Sequence, residues 1–181
     1  LDINVLPLSV VHEGREYVEN VDITPEEFYV TLENCEKIPT SSQVTTQAYV
    51  DLYEKTFAAG YTDLIQISLN AKGSGTFQSG VIAKDLFFES HPEAAGKFAI
   101  HNVDSETYSM LYGHSVIKAA EMARDGASVE DILAKVERMV KAVRGVFVPL
   151  PLRFVKKSGR VSAAAAFLGD AMGLKPVITF E

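Results

Sequence analysis

Apolar and polar positions along this chain follow two rhythms, one alternating and one helical, and the rhythms take turns. Residues 3–10 (INVLPLSV) alternate as a strand does, and HEGREY turns into a second short extended segment. DITPEEFYVTLEN then predicts a helix: Thr24 is a good N-cap, Pro25 suits the first helical position, and Glu27 completes a capping box with Thr24. KIPTSSQVTTQAYVDLYEKTFAAG reads as a polar loop and a helix over 46–59, with Ala48, Leu52, Tyr53 and Phe57 on its apolar stripe and Gly60 at its end. Leu64, Ile65, Ile67 and Leu69 mark a buried strand over 63–69. Phe77, Val81, Ile82, Leu86 and Phe87 recur at helical spacing and predict a helix from about 77 to 89. A strand over 97–103 follows, then a helix closed by Gly126 and another capped by Ser128. GVFVPLPL, SGRVSAAAAFLGDAMG and KPVITF read as strand, helix and strand.

Strands alternating with helices require crossover connections, which imply an α/β fold with a mainly parallel sheet. No internal repeat or low-complexity tract interrupts the pattern. Composition shifts near Pro149 and Pro151, so the expected division is an α/β parallel-sheet domain over 1–148 and the start of a second domain over 149–181. The chain opens on a strand already in progress and stops on another strand, so a fragment of a longer protein is expected.

Composition narrows the function classes. Apolar residues are 47% and charged residues 23%, ordinary values for a chain that buries a core. A formal charge of −7, with basic residues gathered only in RFVKKSGR, argues against general nucleic-acid binding. Cys35 is the one cysteine, lies in a polar context without an adjacent base, and reads as a plain thiol of a reducing compartment. No apolar run has membrane-spanning length, so the expected location is the cytoplasm.

The chemistry is concentrated in three polar loops: PTSSQVTT, NAKGSGT and VDSET. In open parallel sheets, ligands bind beyond the carboxyl ends of the strands. The first two loops are hydroxyl-rich and open predicted helices, whose first amides lack partners and carry partial positive charge. Serine and threonine hydroxyls can donate to an anionic oxygen, and glycine lets the backbone approach closely. Such loops suit a carboxylate or a phosphate. Equally, Ser41, Ser42 and Thr45 are what any helix start prefers as caps, and the residues leave both readings open. KGSGT is neither a nucleophile elbow nor a phosphate-binding P-loop. His12, His91, His101 and His114 fall in no catalytic motif, and no metal-ligand spacing is visible.

Four blocks follow one another along the chain: VLPLSVVHEGREYVENVDITPEEFY, PTSSQVTTQAYVDLYEKTFAAGYTDLIQISLNAKGSGTFQSG, VDSETYSM, and FVKKSGRVSAAAAFLGDAMGLKPVITF. Taken in that order, they resemble the DegV family, the fatty-acid-binding proteins that serve as binding subunits of bacterial fatty acid kinase. The resemblance covers nearly the whole chain and implies a two-domain protein. One domain is a three-layer α/β domain with a parallel sheet; the other, present only in part, is α/β with a mixed sheet. It further implies that a long-chain fatty acid is held with its acyl chain in an apolar pocket. Its carboxylate would be gripped by Ser41 and Ser42 of the first loop and by Ser74, Gly75 and Thr76 of the second. Arg160 matches the arginine near which a dihydroxyacetone-kinase-like fatty acid kinase subunit would dock and phosphorylate the carboxylate; a solvated arginine at a helix start is the other reading. On this resemblance the chain is a lipid-binding subunit and not itself an enzyme, with no cofactor or metal. A small-molecule hydrolase or phosphotransferase built on the Ser74 loop is the alternative.

The chain departs from the family pattern in places. Val44 stands for a proline, Ser158 for a glycine, Pro151 for an aspartate, and MLYGH lacks the usual glycine after methionine. The family's opening strand with its Asp-Ser loop has no counterpart here. Nor does the later part of its second domain, which usually adds a carboxylate-contacting histidine.

Overall fold

The computed structural model describes residues 1–148 and 177–180. They divide into two compact units: one of residues 1–6 and 44–145, and one of residues 7–43 with 146–148 and 177–180. Segment 7–43 thus groups with the later residues. The boundary expected at Pro149 and the helix expected over SGRVSAAAAFLGDAMG lie outside the described residues, as does Arg160.

The first unit carries the parallel sheet. Strand β4 (Asp63–Ser68) pairs in parallel with β5 (Ala99–Asp104), from Asp63 opposite Ala99 to Ser68 opposite Asp104. Around it run α2 (Thr46–Ala58), α3 (Thr76–Ser90), α4 (Met110–Arg124) and α5 (Val129–Ala142). Strand alternation sorts the two faces. Ile65, Ile67 and Val103 pack against Ala119 of α4 and Ile132 and Val136 of α5. On the opposite face, Gln66 and Asn102 meet Tyr53 of α2 and the backbone of α3 at Gly80. The result is helices, sheet, helices: three layers, as expected.

Beneath α2 and α3 lies an aromatic cluster. Tyr53 and Phe87 are fully buried and meet edge to face, 6.3 Å between centroids, with Phe57 and Phe98 also against Phe87. The stripe of α2 is Tyr49 and Tyr53, with Ala48 and Leu52 half-buried. On α3 the expected stripe is rotated. Ser79, Gly80, Ala83 and Phe87 are buried, whereas Ile82 and Leu86 are each 44% exposed. Helical spacing gives the period of a face but not its depth. Here close approach to the sheet selects the small side chains, because a β-carbon at Gly80 would collide with the Gln66 carboxamide and lie 2.6 Å from its Cδ.

The second unit is antiparallel. Strands β1 (Ser9–His12), β2 (Arg15–Val18) and β3 (Thr40–Ser42) form a sheet in the order β2-β1-β3. The expected strand over 3–10 is therefore shifted toward 9–12, where cross-strand partners exist on both sides. Helix α1 (Pro25–Asn34) starts on the anticipated capping box: Thr24 Oγ1 accepts from Glu27 N at 3.2 Å, and Glu27 Oε2 accepts from Thr24 N at 2.8 Å. Those bonds to Thr24 hold the Glu27 carboxyl below its usual range. Strands β6 (Gly145–Phe147) and β7 (Ile178–Phe180) pair with each other.

Candidate functional site

The site is built where the two parallel strands end. After β4 the chain passes through Asn70–Gly75 into α3; after β5 it passes through Ser105–Ser109 into α4. These loops are stitched together at their bases. Ser105 N donates to Ser68 O at 3.0 Å, and Asn70 N donates to Thr107 O at 2.9 Å. Asn70 Nδ2 donates to Glu106 O at 2.8 Å, while its Oδ1 accepts from Lys72 N at 2.8 Å. Asp104 Oδ1 accepts from Ala71 N at 3.1 Å and from Glu106 N at 2.9 Å. Asn70 and Asp104 thus act as side-chain staples that replace the lost sheet ladder. Thr107 Oγ1 is buried without a partner among the described residues.

The sequence reading placed Ser74, Gly75 and Thr76 at the centre of the second loop, and the structure puts them at the start of α3. Gly75 is the N-cap, and no side chain among the described residues caps this helix. The amides of Phe77 and Gln78, the second and third of the helix, have no partner among the described residues and stand available to a ligand. Ser74 Oγ and Thr76 Oγ1 lie 3.0 Å apart, so either can donate to the other, and Ser74 Oγ accepts from Thr76 N at 3.3 Å. Thr76 Oγ1 also accepts from the backbone of Val44 at 3.4 Å. This contact ties the entrance of α2 to the start of α3. Thr76 is buried, while Ser74 and Gly75 are half-buried.

Ser41 and Ser42 lie on a strand of the second unit. They do not cap α2; Thr45 does, its side chain accepting from Ala48 N at 3.2 Å. Both serines are exposed on β3, opposite Val10 and Ser9 of β1, in the second unit. Backbone pairing with a strand some thirty residues earlier decided this, and a loop-like run of Thr, Ser and Gln gives no local sign of it.

Among the described residues, no base is bonded to Ser74, whose bonds run to Thr76. His101 Nε2 sits 3.0 Å from Asp63 Oδ1, His91 stacks on Phe87, and neither reaches Ser74. Cys35 donates to Leu32 O at 3.3 Å. No group of His, Cys, Asp and Glu among the described residues is placed to hold a metal ion. No helix among them is long and apolar enough to cross a membrane.

Below the loops, on the α2–α3 face, the sheet is polar where the sequence suggested apolar strands. Tyr53 donates to Gln66 Oε1, with Gly80 O also 3.2 Å from its hydroxyl. Asn102 Nδ2 donates to Gln66 Oε1 at 2.7 Å, and Gln66 Nε2 donates to Ser68 Oγ at 2.8 Å. Burial pushes the Tyr53 phenol well above its ordinary range, outweighing the lowering by Asn102. Tyr53 therefore stays a donor at any physiological pH. A separate cleft of about 580 Å³ lies between β5 and α5, lined among the described residues by Val103, Leu133 and Val140, by the carboxylates of Asp104, Glu106, Glu130 and Glu137, and by one cation, Lys141. With four carboxylates against one ammonium, it suits neither a carboxylate nor a phosphate.

Comparison with known proteins identifies the family and the fold. A model of the DegV family matches residues 1–181. A DegV domain-containing protein of Clostridium perfringens is 33% identical over 179 residues, covering 99% of this chain and 61% of that protein. The crystal structure of DegV, a fatty acid binding protein from Bacillus subtilis, is 32% identical with a TM-score of 0.81, over 97% of this chain and 60% of that one. A stearic acid-binding protein from Eubacterium ventriosum is 25% identical with a TM-score of 0.86, over 99% of this chain and 60% of that one. The chain spans about three fifths of the length of these relatives. With the loop motifs in family order, and the fold they sit on shared with these structures, the chain belongs to the DegV family.

Proposed function

We propose that this protein binds a long-chain fatty acid, holds its carboxylate at Ser74, Gly75 and Thr76, and shields the acyl chain in an apolar pocket. The observation that carries the reading is the start of α3. Two hydroxyls and the unpartnered amides of Phe77 and Gln78 lie together there, on a loop stapled to its neighbour. Charge-assisted hydrogen bonds from such groups select an acid head. Each buried methylene adds roughly 0.8 kcal/mol, so the hydrocarbon supplies most of the affinity. The fatty-acid binding named for the Bacillus subtilis relative supports the same assignment. Ser41 and Ser42 enter the proposal through their match to the family's first loop. Following the family resemblance, the bound acid is presented in the cytoplasm to a kinase partner that forms the acyl phosphate, with Arg160 in the docking region. The phosphoryl chemistry then belongs to the partner, and this chain needs no cofactor.

Ser74→Ala tests the reading. The loss of one bond to a charged head should weaken binding of a fatty acid about 10- to 100-fold, and binding of the matching alcohol far less. Equal losses for both ligands would remove Ser74 from the head-group site. Organic extraction of the purified full-length protein should release a long-chain fatty acid. An empty protein that hydrolyses an ester or transfers a phosphate would instead favour an enzyme built on the Ser74 loop.

A further inference from the structure

We infer that Tyr108 is the positioning residue of the carboxylate-binding loop and that Gly73 is glycine in order to admit it. This inference rests on the reading of residues 70–76 given above. A β-carbon added at Gly73 would collide with the Tyr108 hydroxyl and lie 3.0 Å from its Cζ. Gly73 does not have positive φ, so the backbone does not demand glycine there; the space does. The tyrosine hydroxyl is thus laid over the main chain one residue before Ser74.

The segment that delivers Tyr108 is shaped for the task. Two non-glycine residues beside it, Glu106 at φ 55° and Ser109 at φ 56°, adopt the left-handed region. Such conformations persist only where surrounding contacts hold them. Here Glu106 is bonded through its N to Asp104 and through its O to Asn70, so the turn is fixed from both strand ends. Tyr108 itself is half-buried, and its ring adds a rigid cover at little entropy cost. The chemistry that follows is preorganisation. A loop held under Tyr108 offers Ser74 and the amides of α3 already in place, and binding then loses less freedom.

The alanine that would fill the space at Gly73 meets the far end of a movable side chain. Gly73→Ala should therefore unseat Tyr108 without unfolding the protein. Hydrogen exchange of the ligand-free full-length protein reads the clamp directly. Tyr108→Ala and Gly73→Ala should each speed exchange of amides 72–76 about tenfold or more, with α5 unchanged. Each should weaken fatty-acid binding about tenfold, with a smaller effect on the alcohol. The double variant should be no worse than Tyr108→Ala alone, since both act through one contact.

Unchanged exchange at 72–76, or losses that multiply in the double variant, would overturn the clamp. Faster exchange with intact affinity in Tyr108→Ala, while Ser74→Ala still weakens the acid, would overturn the positioning role alone. Faster exchange with no effect of any variant, Ser74→Ala included, would overturn the head-group reading and this inference with it.

Discussion

At the scale of single residues, glycine does its work here by being small. Gly80 lies against the Gln66 carboxamide, which is itself bonded to Tyr53, Asn102 and Ser68. Gly80→Ala must move a networked, buried amide. The expected cost is about 1–3 kcal/mol in urea denaturation. Tyr53 makes the network sensitive to alkali. Its phenol, like that of Tyr49, is raised by burial, so the folded state favours the neutral form. The stabilisation is full below the ordinary phenol value near 10 and is lost as pH rises above it. Stability measured from pH 8 to 11.5 should thus fall above about pH 10, and Tyr53→Phe should flatten that fall. None of this was legible in LIQIS or IHNVD. A glutamine and an asparagine in an apolar run look like outward positions until the opposite helix supplies partners.

At the scale of elements, local signals fared well where the bonds are local. The caps at Thr24, Thr45 and Ser128 all close through side chains three residues apart in sequence from their partners. Ser128 Oγ accepts from Asp131 N at 3.1 Å at an exposed helix start. Ser128→Ala should cost about 1 kcal/mol, and Ser128→Asn should recover most of it, as read from thermal unfolding. Where local signals were weak, two elements with distant bonds were misplaced, although β4 and β5 were found by their apolar runs. Thr40–Ser42 is a strand because β1 offers it a ladder, and the first strand sits at Ser9–His12 for the same reason. The rotated face of α3 belongs here too: Ile82 and Leu86 look like core by spacing, but the sheet admits Gly80 and Ala83 instead.

At the scale of the whole molecule, the proposed ligand should be a stabiliser. A ligand that binds only the folded state at 100 times its dissociation constant adds about 2.7 kcal/mol. The melting temperature of the delipidated full-length protein should therefore rise with fatty acid, rise less in Ser74→Ala, and fail to rise with a short-chain acid. No rise with any fatty acid would count against the proposed function. What the sequence by itself determined was the α/β class, the order of most elements and the hydroxyl-rich loop at the start of α3. Hydrophobic period, capping and turn chemistry act between neighbours, so a linear reading can find them. Only the tertiary structure decided that Asn70 and Asp104 staple two loops, that Tyr108 rests on Gly73, and that Ser41 and Ser42 lie in a strand. Each of those depends on residues far apart in the chain meeting at one place, and pairwise contact across such separations leaves no local periodicity to read.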